Sequence, residues 1–194
     1  MGVFFAPTFM LAGKNTWDYP NDPIYPGDSQ KWKFEPFTPA FGLFGEFAPI
    51  DHLALGLEAF FAFPSIDEAE DWEAGTGVML SCTNCARDFF FSLLLRAKAP
   101  FRIRGIVAPY PIIGFGFDLY RLRPTNYKDS SYPGLTVQAG AGVEFYPLPF
   151  ITPFIDIRYR FALGWHDWTN AYAVDVSEKV YTHGLVIEIG ARFL

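Results

Sequence analysis

Ile151-Thr152-Pro153-Phe154-Ile155-Asp156-Ile157-Arg158-Tyr159-Arg160-Phe161 divides into two faces when every second residue is taken. One face reads Ile151, Pro153, Ile155, Ile157, Tyr159, Phe161. The other reads Thr152, Phe154, Asp156, Arg158, Arg160. A strand sends successive side chains to opposite sides, so this period of two predicts a strand with one greasy and one charged surface. The same pattern runs from Leu53 to Phe63, and again in Leu185, Ile187, Ile189, Ala191, Phe193 against Val186, Glu188, Gly190, Arg192. Helical periodicity is nearly absent.

Alternation and turn residues together predict eight strands, over residues 2–12, 35–48, 52–63, 88–99, 106–121, 134–146, 150–163 and 180–194. Most are roughly twice the usual globular length of about 5–6 residues, and long enough for the roughly 9–11 that a tilted membrane strand needs. The connections alternate in size. Pro49-Ile50-Asp51, Pro100 to Gly105 and Pro147-Leu148-Pro149 make short turns. The intervening segments 13–34, 64–87, 122–133 and 164–179 read as long loops. Short turns on one side and long loops on the other are the layout of an outer-membrane barrel. No internal repeat or linker divides the chain, so residues 1–194 read as a single domain.

The placement of charge decides which side faces in. The charged face collects Glu46, Glu58, Asp118, Glu144, Asp156 and Glu188 together with Arg96, Lys98, Arg158, Arg160 and Arg192. The opposite face carries Phe37, Phe41, Phe47, Phe61, Phe63, Phe89, Phe91, Phe115, Phe117, Phe145, Tyr159, Phe161 and Phe193. A soluble lipocalin-like barrel would put those rings inside, but eight strands enclose a space only just wide enough for side chains. The charged face is interleaved with Gly42, Ala54, Gly56, Ser92, Gly114, Gly116, Gly140, Gly142 and Gly190, which suit a narrow lumen. The expected fold is therefore an all-β, eight-stranded, antiparallel up-and-down transmembrane β-barrel, with the eleven charged residues forming an ion-pair network in its lumen. Buried charges are tolerated when paired, and near-equal numbers permit pairing.

Composition narrows the functional classes. Aromatic residues make up 19% of the chain, too many for a disordered segment. The formal net charge of −6 excludes a basic nucleic-acid footprint. No uncharged apolar run is long enough for a transmembrane helix. Met1-Gly2-Val3-Phe4-Phe5 has no basic start, apolar core or cleavage site, as expected of the mature form of an exported chain. Trp17, Trp32, Trp72, Trp165 and Trp168 fall in or beside the long loops, and Tyr110, Tyr146 and Tyr159 near strand ends, where a membrane–water interface would hold them.

Four segments resemble the small outer-membrane barrels of the OmpA/OmpX/OmpW-like group. Ala108-Pro109-Tyr110-Pro111-Ile112-Ile113-Gly114-Phe115-Gly116-Phe117 is similar to their PYxGxGxG strand. Val137 to Phe145 and Pro153 to Tyr159 follow the same style, and Gly184 to Phe193 is similar to the closing strand. That strand usually ends on an aromatic residue; here Phe193 is penultimate and Leu194 last. The resemblance implies export to a bacterial outer membrane as an integral barrel, in contact with lipid and lipopolysaccharide.

Candidate chemistry is sparse. Cys82-Thr83-Asn84-Cys85 reads as a loop disulfide or two free thiols; a zinc site needs two more ligands, and His52, His166 and His183 are scattered. A lipid A-modifying enzyme needs a positioned Ser and His, but His166, His183 and Ser177 form no neighbouring pair. The acidic run Asp67-Glu68-Ala69-Glu70-Asp71-Trp72-Glu73 lacks calcium-loop spacing and reads as a solvated surface. Phe90, Leu94 and Phe154 either line a pocket for a small apolar molecule or fill the barrel. No catalytic residue, metal or cofactor is expected. The leading reading is a structural or surface-interaction barrel whose loops meet a protein partner or lipopolysaccharide; the alternative is a binder or transporter of small apolar molecules. The native chain should fractionate with membranes and run faster on a gel unheated than boiled, and a soluble, heat-insensitive chain would contradict the membrane assignment.

Overall fold

The computed structural model describes residues 1–6, 8–18, 28–34, 37–72, 79–124, 130–146, 150–169 and 175–193. Among them, eleven strands make eight passes. β1 (Gly2–Phe5) and β2 (Thr8–Asp18) form the first, β3 (Asp28–Phe34) and β4 (Ala40–Ile50) the second, β5 (Leu53–Ala62) and β6 (Ser65–Trp72) the third. β7 (Met79–Lys98), β8 (Val107–Pro124), β9 (Ser130–Phe145), β10 (Ile151–Thr169) and β11 (Asp175–Phe193) are unbroken passes. All pair antiparallel with their neighbours, and β1 and β2 pair with β11. Phe193 N–H donates to Met1 O at 2.7 Å, so the chain ends meet where the ring closes. Closure is what hydrocarbon demands, because a free edge would leave backbone groups with no water to bind.

The first three passes break at one level, where prolines stand. Pro39 and Pro64 lie in the gaps of the second and third passes. Proline has no N–H to donate, so the ladder thins. Ala6 N–H still donates to Ala40 O at 2.8 Å, and Thr8 and Thr38 exchange bonds of 2.9 and 2.8 Å. Across the next gap Phe63 N–H reaches Pro39 O at 3.4 Å.

The polarity is inside-out. Phe41, Phe115 and Ile157 are 53%, 53% and 52% exposed, whereas Glu144 and Arg158 are 1% and 0% exposed. On the outer wall Phe41, Phe61, Phe63, Phe89 and Phe91 form a chain of ring contacts with centroids 5.0–6.4 Å apart. Such a surface is stable against lipid and not against water. An open apolar groove of about 910 Å³ lies on this wall, its sides including Phe47, Leu57, Leu95 and Phe115.

Inside, rings lie over glycines of the adjacent strand. Tyr110 stands opposite Gly142, and a Cβ on that glycine would run into the Tyr110 ring and the Asp156 side chain. Phe44 covers Gly2 in the same way. The lumen glycines are thus the slots that let a narrow cylinder hold large side chains. Tyr110 is 2% exposed and hydrogen-bonds Asp156, which corrects its expected place in an interfacial girdle: residues 108, 110 and 112 share the inward face of β8.

The four segments expected as long loops are mostly strand. Residues 13–18, 28–34, 65–72, 79–87, 122–124, 130–133, 164–169 and 175–179 continue the ladders, and of these segments residues 19–27, 73–78, 125–129 and 170–174 lie outside the described residues. Beyond the lipid the apolar alternation fades because both faces meet polar surroundings, yet backbone pairing continues. Register sets Lys33 opposite Glu68 and Lys31 opposite Glu70, so two acids of the run face lysine positions across a ladder, where opposite charges favour pairing. The backbones of Trp17, Trp32, Trp72 and Trp168 likewise belong to strands rather than loops.

Gly142→Val should overpack the Tyr110 slot and lower stability by about 1–3 kcal/mol. Urea unfolding in lipid vesicles would read this as a lower midpoint, while Gly45→Val, where a Cβ meets nothing within 4 Å, should leave it unmoved.

Candidate functional site: the charged lumen

The eleven charged residues come from β4, β5, β7, β8, β9, β10 and β11 and converge on the axis because they occupy the inward register of each strand. Nine are nearly inaccessible as whole residues, and the side chains of Glu46 and Arg192 are 3% and 16% exposed. They form three linked levels.

At the short-turn end, Lys98 Nζ lies 2.7 Å from Glu46 and 2.5 Å from Glu144. Arg192 reaches the same two carboxylates at 3.5 and 3.6 Å. Tyr146 O–H donates to Glu144 at 2.5 Å. Burial, and then the carboxylate its hydroxyl serves, hold the Tyr146 phenol above its ordinary pKa.

At mid-height Arg158 is the hub. Its Nη1 and Nη2 donate to the two oxygens of Glu58, each at 3.1 Å, as a fork. Its Nε donates to Asp156 at 3.1 Å, Nη1 also reaches Gln138 at 3.0 Å, and Nη2 contacts Glu188. Arg96 joins this level to the lower one, bonding Glu58 at 2.6 Å and Glu46 at 3.1 Å.

Above it, Arg160 pairs with Asp118, which also accepts the Ser92 hydroxyl at 2.5 Å. The Arg160 guanidinium lies 3.8 Å from the Phe90 ring centre, and Arg96 lies 4.6 Å from that of Phe44. These contacts let the cations share the lumen with rings. Phe44 meets Phe154 edge-on at 5.4 Å, and Phe60 meets Phe90 at 5.9 Å. Phe90, Leu94 and Phe154 are 4%, 0% and 3% exposed, packed in the interior rather than around an open pocket.

Several partners escaped the sequence reading. Gln138, Ser92 and Tyr110 sit at inward positions that alternation alone marks, but Ser92 read only as a small lumen residue, Tyr110 as an interfacial ring, and Gln138 was not singled out as a partner. Tyr132 and Glu178, bonded at 2.8 Å, lie in segments expected to be loops. The backbone places Cys82 and Cys85 in β7, not in a loop, beside an irregularity of the β6–β7 ladder. Their side chains lie outside the described residues. His166 packs edge-on against Tyr132, 5.6 Å between ring centres, while His183 bonds the exposed Tyr159 on the outer wall at 2.9 Å. Ser177 occupies the alternate face of β11 from the buried Glu178. No Ser–His pair is assembled from these three.

A greasy exterior, a charged interior and a closed ladder of eight passes are now all in place. The chain has the fold of the small outer-membrane β-barrels. Several solved structures are similar to it. OprG of Pseudomonas aeruginosa is 14% identical over 98% of this chain and 94% of its own, with a TM-score of 0.50. Neisserial surface protein A is 13% identical over 96% of both chains, with a TM-score of 0.43. The attachment invasion locus protein Ail of Yersinia pestis is 14% identical over 96% of this chain and 97% of its own, with a TM-score of 0.33. No family model and no curated protein sequence matches the chain.

In this barrel, replacing Arg158 or Glu144 by Ala leaves opposite charges buried without their main partner, which costs about 3–5 kcal/mol. Urea titration should record the loss. An unmoved midpoint would mean that water reaches these groups and screens them.

Proposed function

We propose that the chain, as one barrel over residues 1–194, is a non-enzymatic structural or surface-interaction protein of the bacterial outer membrane, closed by its lumen network, with projecting hairpins as the surface that partners meet. The observation that carries this reading is the mid-height crossing. Arg158 is 0% exposed and bound at once to Glu58, Asp156, Gln138 and Glu188, so side chains from β5, β9, β10 and β11 meet on the axis. An ion entering the lumen would have to part charges already paired with each other, and the packed Phe60–Phe90 and Phe44–Phe154 pairs narrow what remains.

The hairpins support the interaction role. β10 and β11 each run 19 residues, against roughly 9–11 needed to cross the hydrocarbon. Their paired backbones continue past that length as a stiff base, which favours recognition because little order is lost on binding. Transport of small apolar molecules gains nothing from the interior, since Phe90, Leu94 and Phe154 are packed. A lipid A-modifying site gains nothing from His166 and His183, which serve opposite sides of the wall.

In planar bilayers the purified protein should give no stable porin-sized conductance. A steady large current would reject the closed barrel. Arg158→Ala, if it still folds, should raise the frequency of small openings over the wild-type chain.

A further inference from the structure

The three levels of the lumen network do not balance alike. At the short-turn end the acids Glu46 and Glu144 meet the bases Lys98 and Arg192. At the upper level Asp118 meets Arg160. At mid-height Glu58, Asp156 and Glu188 share only Arg158 and Arg96, and Arg96 also serves Glu46. The acid in excess therefore lies at mid-height, among side chains that are 0–1% exposed.

Register shows which acids compete. Asp156 and Glu188 stand directly opposite each other on β10 and β11, both on the inward face. Side chains so opposed have Cβ atoms about 4.5–5.5 Å apart. Two carboxylates at that spacing repel each other, and burial magnifies the repulsion. Their oxygens are served unequally. Asp156 Oδ1 accepts from Arg158 Nε at 3.1 Å, and Oδ2 from the Tyr110 hydroxyl at 3.2 Å. Both Glu58 oxygens accept from Arg158, and one also from Arg96. Neither oxygen of Glu188 accepts a hydrogen bond from a described residue; Oε2 is paired with Arg158 Nη2 by charge alone. Gln138 turns its oxygen to Arg158, and its Nε2 donates to no described residue. On the other side of β11, β1 carries no titratable side chain, and Thr8 of β2 stands opposite Val186. A buried carboxylate with no hydrogen-bond donor is costly, whereas a carboxyl group that carries a proton is itself a donor.

We propose that the opposed pair Asp156 and Glu188 is a proton-binding site, holding one proton taken from solvent. Glu188 carries the proton and donates it in a hydrogen bond to Asp156 across the ladder. Glu58 and Asp156 are then matched by Arg158 and Arg96, and mid-height is neutral. A metal ion suits the place less well. Hard cations take about six or more oxygens, and every oxygen of Glu58 and Asp156 already accepts a hydrogen bond. The site rests on the closed-barrel reading above and deepens it: the crossing stays shut while the proton is held, and its release leaves one unmatched charge there.

Infrared spectroscopy of the folded barrel in lipid vesicles tests this, because a protonated carboxyl has a carbonyl stretch that an ionised one lacks. The wild-type chain should show that band at neutral pH. Glu188→Gln should remove it by removing the carrier, and Asp156→Asn by removing the acid in excess. Asp167→Asn, an exposed acid of the same strand, should leave it in place. Urea unfolding gives a second readout. Glutamine stays neutral in both states, whereas Glu188 in the unfolded chain is ionised at neutral pH. Folded wild-type chain thus binds one proton more than unfolded, so rising pH works against it. Above about pH 6 its unfolding constant should rise about tenfold per pH unit relative to that of Glu188→Gln, for as long as the proton is held. Should Glu188→Gln not fold, the wild-type band and Asp156→Asn decide. Absence of the band from the wild-type chain, or its survival in either variant, would overturn the site. So would a Glu188→Gln chain weakened by the same factor at every pH, which would mark Glu188 as an ordinary ionised partner of Arg158. A band that appears only after chelator treatment would show a metal ion in the proton's place and overturn it too. Planar-bilayer recordings separate the two failures. A folded, silent barrel without the band overturns the site alone, whereas a porin-sized current overturns the closed lumen itself.

Discussion

A charge inside a cylinder too narrow for bulk water must find another charge. Moving an ion from water to a low-dielectric interior is costly, and only close, well-directed partners offset that cost. In this barrel the constraint acts on eleven side chains at once, and the three-level network is its solution. Arg158 donates from its planar fork to Glu58, Asp156 and Gln138 and pairs with Glu188 beside it. A lysine could not serve four acceptors in that plane, which is why an arginine stands at the crossing and Lys98 occupies the more open end near Arg192 and Tyr146.

Pairing inside the lumen and grease outside are two sides of one requirement. Eight strands enclose little volume, so bulky rings must point outward unless a neighbour gives way. Where rings do point inward, as at Tyr110 and Phe44, the adjacent strand supplies Gly142 and Gly2. Arg160 over Phe90 and Arg96 over Phe44 then let cations and rings occupy adjoining levels. Such a network contributes less to net stability than its bond count suggests, because the desolvation it offsets is large. Its main consequence is specificity of register. A strand shifted by one residue would send its charges into lipid and its rings into the lumen.

Beyond the lipid the same ladders continue under different rules. No hydrocarbon selects an apolar face there, so the strands keep their backbone pairing while their side chains turn polar, as where β3 lysine positions face β6 glutamates. The projecting hairpins are therefore an extension of the barrel wall rather than loops attached to it.

The alternation in Ile151 to Phe161, repeated along the chain, determined by itself the strand character, the eight passes, the inward and outward faces and the eleven lumen charges, because a period of two against a single apolar solvent leaves one consistent placement. It could not determine who pairs with whom. Arg158 and Glu58 are separated by 100 residues, and their meeting depends on ring closure and shear across the whole barrel. Tyr110 looked interfacial from its place near a strand start, although alternation along β8 puts it on the inward face, and only the fold showed that Gly142 makes room for its ring. The extent of the hairpins was also illegible, because hydrophobic periodicity records contact with lipid and falls silent where lipid ends, although hydrogen bonding does not. Tertiary structure alone decided these points, since each depends on which strands lie side by side across the cylinder, a relation that local pattern does not encode.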